Sequence, residues 1–155
     1  MTPKALYRAF AFAEAVTWTL LIAALIIRAV TGVAPIVTIA GGIHGFVFLA
    51  YGATAVLLAV NQRWHPGVAV LAIGSAIIPY ATIPVELWLA RTGRLDGPWR
   101  RETTDDPRDQ GWFDRFVRWF IRHPVVLILA IAAAVVVLFV VLLILGPPQL
   151  PGSAG

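Results

Sequence analysis

The chain has 155 residues, of which 59% are hydrophobic and only 13% are charged. A water-soluble domain of this length could not remove so much apolar side chain from its surface, so hydrocarbon is the expected solvent for much of the chain. The absence of cysteine excludes disulfide-stapled, thiol-redox and thiolate-metal proteins. The net charge of +4 comes from basic residues that flank apolar segments. This placement favours anionic lipid headgroups over nucleic acid as the partner surface.

Four apolar stretches are long enough to cross a bilayer, which takes about 20 helical residues. We expect spans at 9–30, 36–60, 67–90 and within 123–146. The first stretch also resembles a signal peptide, but its length and the acidic residue inside it favour a span. The third is interrupted by Pro79 and Pro84, which should kink or unwind the helix. The sequence therefore predicts an all-α polytopic membrane protein with four transmembrane helices.

The predicted organisation is a three-helix domain over 1–90, an Arg-rich connector over 91–122, the fourth transmembrane helix over 123–146 and a disordered Pro- and Gly-rich tail over 147–155. Within the connector, 111–122 has the pattern of an amphipathic helix, with aromatic rings on one face and arginines on the other. We expect it to lie on the membrane surface. The alternative is that it forms the water-facing entry turn of the fourth span. The residues expected to contact lipid headgroups are Trp112, Arg115, Arg118, Trp119 and Arg122. The acidic cluster of Asp105, Asp106 and Asp109 is read as a solvated charge run.

The basic residues also predict an orientation. With four spans and the N-terminus outside, nine cations face the cytoplasm and three face out. The positive-inside rule therefore favours both termini outside the bacterial inner membrane, with the connector 91–122 in the cytoplasm.

Five polar residues fall inside or at the ends of the predicted spans, namely Glu14, Arg28, His44, Tyr51 and Glu86. Ionisable groups are costly in hydrocarbon, so each is a candidate functional residue. Arithmetic on the helical rise brings Arg28 and Glu86 to one face, where an ion pair is geometrically allowed. It separates Glu14 from His44 by about 12 Å or more along the membrane normal, so no direct contact is expected without tilt or a water.

Two interpretations of these polar residues stay open. One is a proton- or ion-linked track, and the other is purely structural, with His44 bonded to a carbonyl or hydroxyl and Arg28 snorkelling. No two histidines have the spacing of metal ligands, so no metal or cofactor is predicted.

Glycines in the second span predict close helix packing. Gly41 and Gly45 have the spacing that lets helix backbones approach, and Gly52 extends the same face beside His44. A small cavity for a lipid headgroup or the edge of a quinone is the alternative interpretation of this face.

Three short motifs resemble a family of small bacterial integral-membrane proteins catalogued as domain of unknown function 3817. They are Ala13-Glu14-Ala15, the run 42–48 with Tyr51, and Ile78-Pro79-Tyr80 ahead of Glu86, and the match covers about residues 7–89. The family pattern has Glu-Gly where this chain has Glu14-Ala15. The resemblance implies a three-helix membrane domain with Glu14, His44 and Glu86 as its candidate centres, and it implies no activity.

The sequence leaves two main functional hypotheses. The first is an accessory or scaffolding subunit of an envelope complex, which meets a protein partner or further copies of itself through the glycine face and the arginines of 111–122. The second is a small oligomeric transporter or channel for protons, ions or small lipophilic molecules that uses Glu14 and His44. An intramembrane enzyme has no support beyond those same two residues.

Overall fold

The computed structural model describes residues 1–103, 105 and 110–145, and within them every regular element is a helix. The predicted tail 147–155, together with Asp106 and Asp109 of the acidic cluster, lies outside the described residues. The helices are α1 (Pro3–Thr31), α2 (Pro35–Asn61), α3 (Pro66–Gly74), a single 3-10 turn (Ser75–Ile77), α4 (Thr82–Arg91), α5 (Trp112–Arg122) and α6 (Pro124–Leu145).

Helices α1 and α2 form an antiparallel pair with clear local signals at their ends. Both begin with a proline, which fits the first helical turn because no backbone donor is needed there. The hydroxyl of Thr2 accepts a hydrogen bond from the backbone N–H of Ala5 at 3.2 Å and caps α1. Gly32 ends α1 in the left-handed conformation, with φ at 76°, where a side chain would be strained.

The stretch expected to be the third span is not a single helix. Helix α3 ends at Gly74, and the chain turns through 75–81, where Tyr80 adopts a positive φ of 64°. Helix α4 then runs back beside α3. Trp64 precedes α3 and Arg94 follows α4, and the indole N–H of Trp64 donates to the carbonyl oxygen of Arg94 at 2.8 Å, so the two ends of the hairpin lie together. The prolines contribute to this break, since Pro84 falls in the first turn of α4, where its missing donor costs nothing.

The tip of this helical hairpin lies beside the middle of α1. The indole of Trp18 donates to the carbonyl oxygen of Ala76 at 3.2 Å, and the hydroxyls of Thr19 and Tyr80 are 3.3 Å apart. Helices α3 and α4 have nine and ten residues, so each is about 15 Å long or less, half the thickness of the hydrocarbon core.

Three helices are long and apolar enough to cross a membrane: Pro3–Thr31, Pro35–Asn61 and Pro124–Leu142, the last lying within α6. The predicted number of four spans is therefore not confirmed within the described residues. The difference between four predicted spans and three long apolar helices comes from 67–90. This stretch has the length and hydropathy of a span, but it forms two half-length helices that return to the end at which they started.

Helix α6 packs against α2 and runs antiparallel to it. The rings of Phe46 and Phe139 meet edge to face with centroids 6.2 Å apart, and the first residues of α6 lie near Met1 and Trp99. Met1, Asn61, Arg91 and Pro124 therefore share one end of the bundle, whereas Gly32 and Leu145 lie at the other.

We call the end of the bundle that holds Met1, Asn61, Arg91 and Pro124 the cationic end. Of the eleven lysines and arginines in the described residues, Arg28 alone lies at the opposite end. Two ion pairs, Lys4 with Asp96 at 3.0 Å and Arg100 with Asp114 at 3.2 Å, tie the connector and α5 to it. The basic residues at the cationic end are Lys4, Arg8, Arg63, Arg91, Arg94, Arg100, Arg101, Arg115, Arg118 and Arg122.

The hairpin predicts a sidedness that thiol labelling can measure, because the chain has no native cysteine. We expect an impermeant maleimide to label His65→Cys and Arg91→Cys from the same side of the membrane, and Val33→Cys from the other. Right-side-out and inverted vesicles give the comparison. Labelling of positions 65 and 91 from opposite sides would mean that 67–90 crosses the bilayer after all.

Candidate functional site

A buried carboxylate and a buried imidazole meet at the interface of α1 and α2. Glu14 is fully buried, and its Oε2 lies 3.6 Å from Nδ1 of His44. The hydroxyl of Thr17 donates to the carbonyl oxygen of Glu14 and lies 3.0 Å from the same Nδ1. Nδ1 of His44 therefore faces both the hydroxyl of Thr17 and the carboxyl group of Glu14. The ring of Trp18 covers the imidazole, with centroids 4.5 Å apart.

The prediction that Glu14 and His44 do not touch is wrong, and the reason is the register of the two helices. Thr17 lies fourteen residues before the end of α1, whereas its partner His44 lies nine residues after the start of α2. The offset of about five residues corresponds to about 7 Å of helix. The three-residue connection 32–34 can span about 10 Å when extended, so it bridges that offset.

The carboxylate of Glu14 has little compensation within the described part of the chain. Neither of its oxygens accepts a hydrogen bond there, and both are shielded from solvent. The imidazole of His44 lies 3.6 Å from Oε2, which is longer than a hydrogen bond. A carboxyl group and an imidazole therefore lie side by side in the interior of the bundle.

Further polar side chains extend from this pair toward the cationic end, and we call the whole set the polar seam. The hydroxyls of Tyr7 and Tyr51 are 2.6 Å apart, and Tyr51 donates to the carbonyl oxygen of Ala72 at 2.8 Å. Its hydroxyl also lies 3.0 Å from that of Ser75. Since Tyr51 gives its proton to Ala72, Tyr7 donates to Tyr51. The members of the polar seam are Tyr7, Arg8, Glu14, Thr17, His44, Tyr51, Ser75 and Glu86.

The partner of Glu86 differs from the predicted one. Its Oε1 accepts from Nε of Arg8 at 2.8 Å, whereas the sequence suggested a pair with Arg28. The hairpin explains the change, because α4 returns Glu86 to the cationic end while Arg28 lies exposed at the other end of α1.

The three glycines singled out on α2 do not line one groove. A Cβ at Gly41 would lie nearest to Leu21 of α1, at 3.9 Å, and one at Gly45 nearest to Phe139 of α6, at 3.5 Å. At Gly52 nothing lies within 4 Å of that position. Two of the glycines therefore serve internal packing against different helices, and the third faces open space.

Helix α5 is separate from α6 and exposes most of its aromatic side. Trp112, Phe116 and Trp119 are each about half exposed or more. Arg115 and Arg122 are also exposed, but Arg118 is only 7% exposed, so it does not share the outward position predicted for it. Asp114 anchors the helix through Arg63 at 3.6 Å and Arg100.

Sequence reasoning missed several members of the polar seam, in particular Tyr7, Arg8 and Thr17. A signal for two of them exists, since Tyr7, Ala11, Glu14 and Thr17 recur at three and four residues and form one buried stripe of α1. Within the described part of the chain no three His, Asp or Glu side chains converge as metal ligands.

These features define the class of the protein. It is a small helical membrane protein whose interior holds an acid–imidazole pair and a broken helical hairpin. The model of a family described as a domain of unknown function, DUF3817, matches residues 4–91, and the chain belongs to that family. The matched segment contains α1, α2 and the hairpin, so α5 and α6 lie beyond it. The resemblance noted from the sequence motifs is confirmed.

A curated relative is the Streptomyces coelicolor protein named "Putative membrane protein SCO5905", which is 37% identical to this chain over 98 residues. The alignment covers 60% of this chain but only 12% of the relative, so the chain spans about an eighth of that protein's length. No solved structure matches the chain.

The acid–imidazole pair predicts a specific pattern of stabilities. His44→Leu leaves the buried carboxyl group of Glu14 without the imidazole beside it and should lower the free energy of unfolding by about 1 to 3 kcal/mol. The double variant Glu14→Leu/His44→Leu removes both polar groups and should recover most of that loss. Reversible unfolding in mixed micelles measures the values, with lipid-facing Phe12→Leu as a control. Additive losses in the double variant would show that the two side chains are not coupled.

Proposed function

We propose that the chain is an accessory or scaffolding subunit of a larger assembly in the bacterial inner membrane. The observation that carries this proposal is that the polar seam stops halfway through the bundle. Between the acid–imidazole pair and the end of the bundle that holds Gly32, α1 and α2 meet through apolar groups, such as Leu21 against Gly41. The described residues thus offer no continuous polar route from one end of the bundle to the other.

Several polar side chains around the hairpin have a structural task, which supports a scaffolding role. Tyr51 and Trp18 donate to carbonyl oxygens of Ala72 and Ala76, which lie where α3 gives way to the 3-10 turn. Thr82 donates to the carbonyl oxygen of Ala11 on α1. These bonds hold the hairpin against α1 and α2, and none of them requires a ligand.

The length of the curated relative also supports this role. The matched segment is 12% of that protein, so there the unit lies in the same chain as much additional sequence. A module that works beside other segments within one chain has the properties expected of a subunit that docks onto separate partners.

Part of α2 is suited to such docking. Gly42 and Gly52 have nothing within 4 Å of the position of a Cβ, so the backbone is open to close approach by another helix. Small residues at these positions are what membrane helices use for tight association.

The three spans also suggest an orientation. Three crossings would put the two ends of the described chain on opposite sides, which differs from the orientation predicted for four spans. Ten of the eleven described cations lie at the cationic end, and the positive-inside rule therefore assigns that end, with Met1 and the connector, to the cytoplasm.

A second candidate function is an oligomeric transporter or channel that uses Glu14 and His44. The observation in its favour is the carboxylate of Glu14, which accepts no hydrogen bond from the described residues. Such a group can exchange a proton in a way that the satisfied tyrosines of the polar seam cannot.

Docking through α2 predicts different outcomes for two matched substitutions. Gly52→Leu should fold normally, since the space beside Gly52 is open. It should reduce recovery of a stoichiometric partner after mild-detergent purification by about tenfold, which corresponds to the loss of little more than one good packing contact between helices. Ala23→Leu adds bulk to an exposed position of α1 and should leave recovery unchanged. A photo-crosslinker at position 52 should capture the same partner, and one at position 23 should not. Recovery of monomer alone from the native membrane would contradict the proposal.

Reconstitution separates the two candidate functions. For an accessory subunit, proteoliposomes containing the purified chain should show the same proton and alkali-ion flux as empty vesicles, measured with an internal pH dye and a potential-sensitive dye. Flux above that background that disappears in Glu14→Gln would establish the second function instead.

A further inference from the structure

An apolar groove opens on the side of the bundle between α1 and α6, with α2 as its floor. Leu6 and Phe10 of α1 form one wall, Ile131 and Val135 of α6 form the other, and Ala50 of α2 lies at the bottom. Its volume is about 540 Å³, within the range of small-molecule binding sites.

The groove runs along the helices and covers about half of a bilayer. Along α6 its lining extends from Pro124 to Val135, which corresponds to about 16 Å of helix. This length is close to the hydrocarbon depth of one leaflet. The groove starts at the cationic end, where Met1 and Trp99 border its mouth.

The length of the groove favours a single alkyl chain over a helix. A transmembrane helix from a second copy of the chain is about 30 Å long and would extend well beyond a groove of about 16 Å. One acyl chain of a phospholipid occupies a single leaflet, which matches the length of the groove.

A cation marks the mouth of the groove. Arg101 lines that end of the groove and is exposed. Among the described residues no carboxylate forms an ion pair with Arg101, whereas Lys4 and Arg8 each have such a partner. Its backbone carbonyl accepts from Nε of Arg122, which brings α5 close to the same place. A long apolar slot with a guanidinium at its headgroup end is complementary to an anionic amphiphile.

We propose that this groove binds one acyl chain of an anionic glycerophospholipid, whose phosphate is held by Arg101. The site is separate from the glycines of α2 that carry the docking proposal, so it does not depend on the accessory role. The lipid would fill the gap between α1 and α6 and tie α6 to the family unit 4–91.

The test is native mass spectrometry of the full chain after exchange into detergent with equal amounts of phosphatidylglycerol and phosphatidylcholine. The wild type should retain one phosphatidylglycerol. Ala132→Leu fills the groove from α6 and should lose that lipid, whereas Ala133→Leu, which makes the same change on the exposed neighbouring position, should keep it. Ala50→Leu fills the groove from its floor and provides a second, independent test.

Arg101→Gln addresses the headgroup. This variant should still bind one lipid, but its preference for phosphatidylglycerol over phosphatidylcholine should fall about fivefold, as expected for the loss of one interfacial cation. Thermal unfolding of each variant establishes that the bundle is intact.

Three results would overturn the proposal. One is equal lipid retention by Ala132→Leu and Ala133→Leu with Ala50→Leu also unaffected. Another is an unchanged headgroup preference in Arg101→Gln. The third is a protein dimer that Ala132→Leu abolishes, because it would assign the groove to a second copy of the chain.

Discussion

The structure depends on one constraint, which is that hydrocarbon offers no hydrogen bonds to a backbone. Where a helix is broken in such a solvent, the freed carbonyl oxygens must find donors inside the protein. The break at 74–81 creates this requirement, and α1 and α2 meet it with the indole of Trp18 and the hydroxyl of Tyr51. Trp18 of the first span and Tyr51 of the second are therefore explained by the interruption in the third segment.

The same interruption determines the arrangement of charge. Because α3 and α4 return to the end at which they started, almost every described cation falls at that end. A continuous helix over 67–90 would instead have placed Lys4 and Arg8 opposite the basic connector. Two independent contacts, the ion pair of Arg8 with Glu86 and that of Lys4 with Asp96, depend on this return of the chain.

Much of the architecture could be predicted from the sequence, because hydropathy and length are one-dimensional properties. They located α1, α2, α5 and α6, and the cost of charge in lipid selected Glu14, His44 and Glu86. Reversal at Tyr80 could not be predicted in the same way, since a proline-interrupted stretch either kinks or turns back depending on which donors surround it. The contact of Glu14 with His44 was missed for a related reason, because helix register is set by the three-residue connection 32–34 and not by the apolar pattern.

The acid–imidazole pair of the polar seam is not explained by the hairpin. Tyr51 and Trp18 satisfy freed carbonyl oxygens, and Glu86 has a hydrogen-bonded guanidinium, but the carboxylate of Glu14 faces only an imidazole at 3.6 Å. A buried acid and base of this kind contribute little stability compared with apolar residues of the same size, because desolvation offsets their attraction. Packing alone therefore does not account for them. The buried carboxyl group of Glu14 beside an imidazole is therefore a feature of the described interior that neither the broken helix nor the packing of the helices requires.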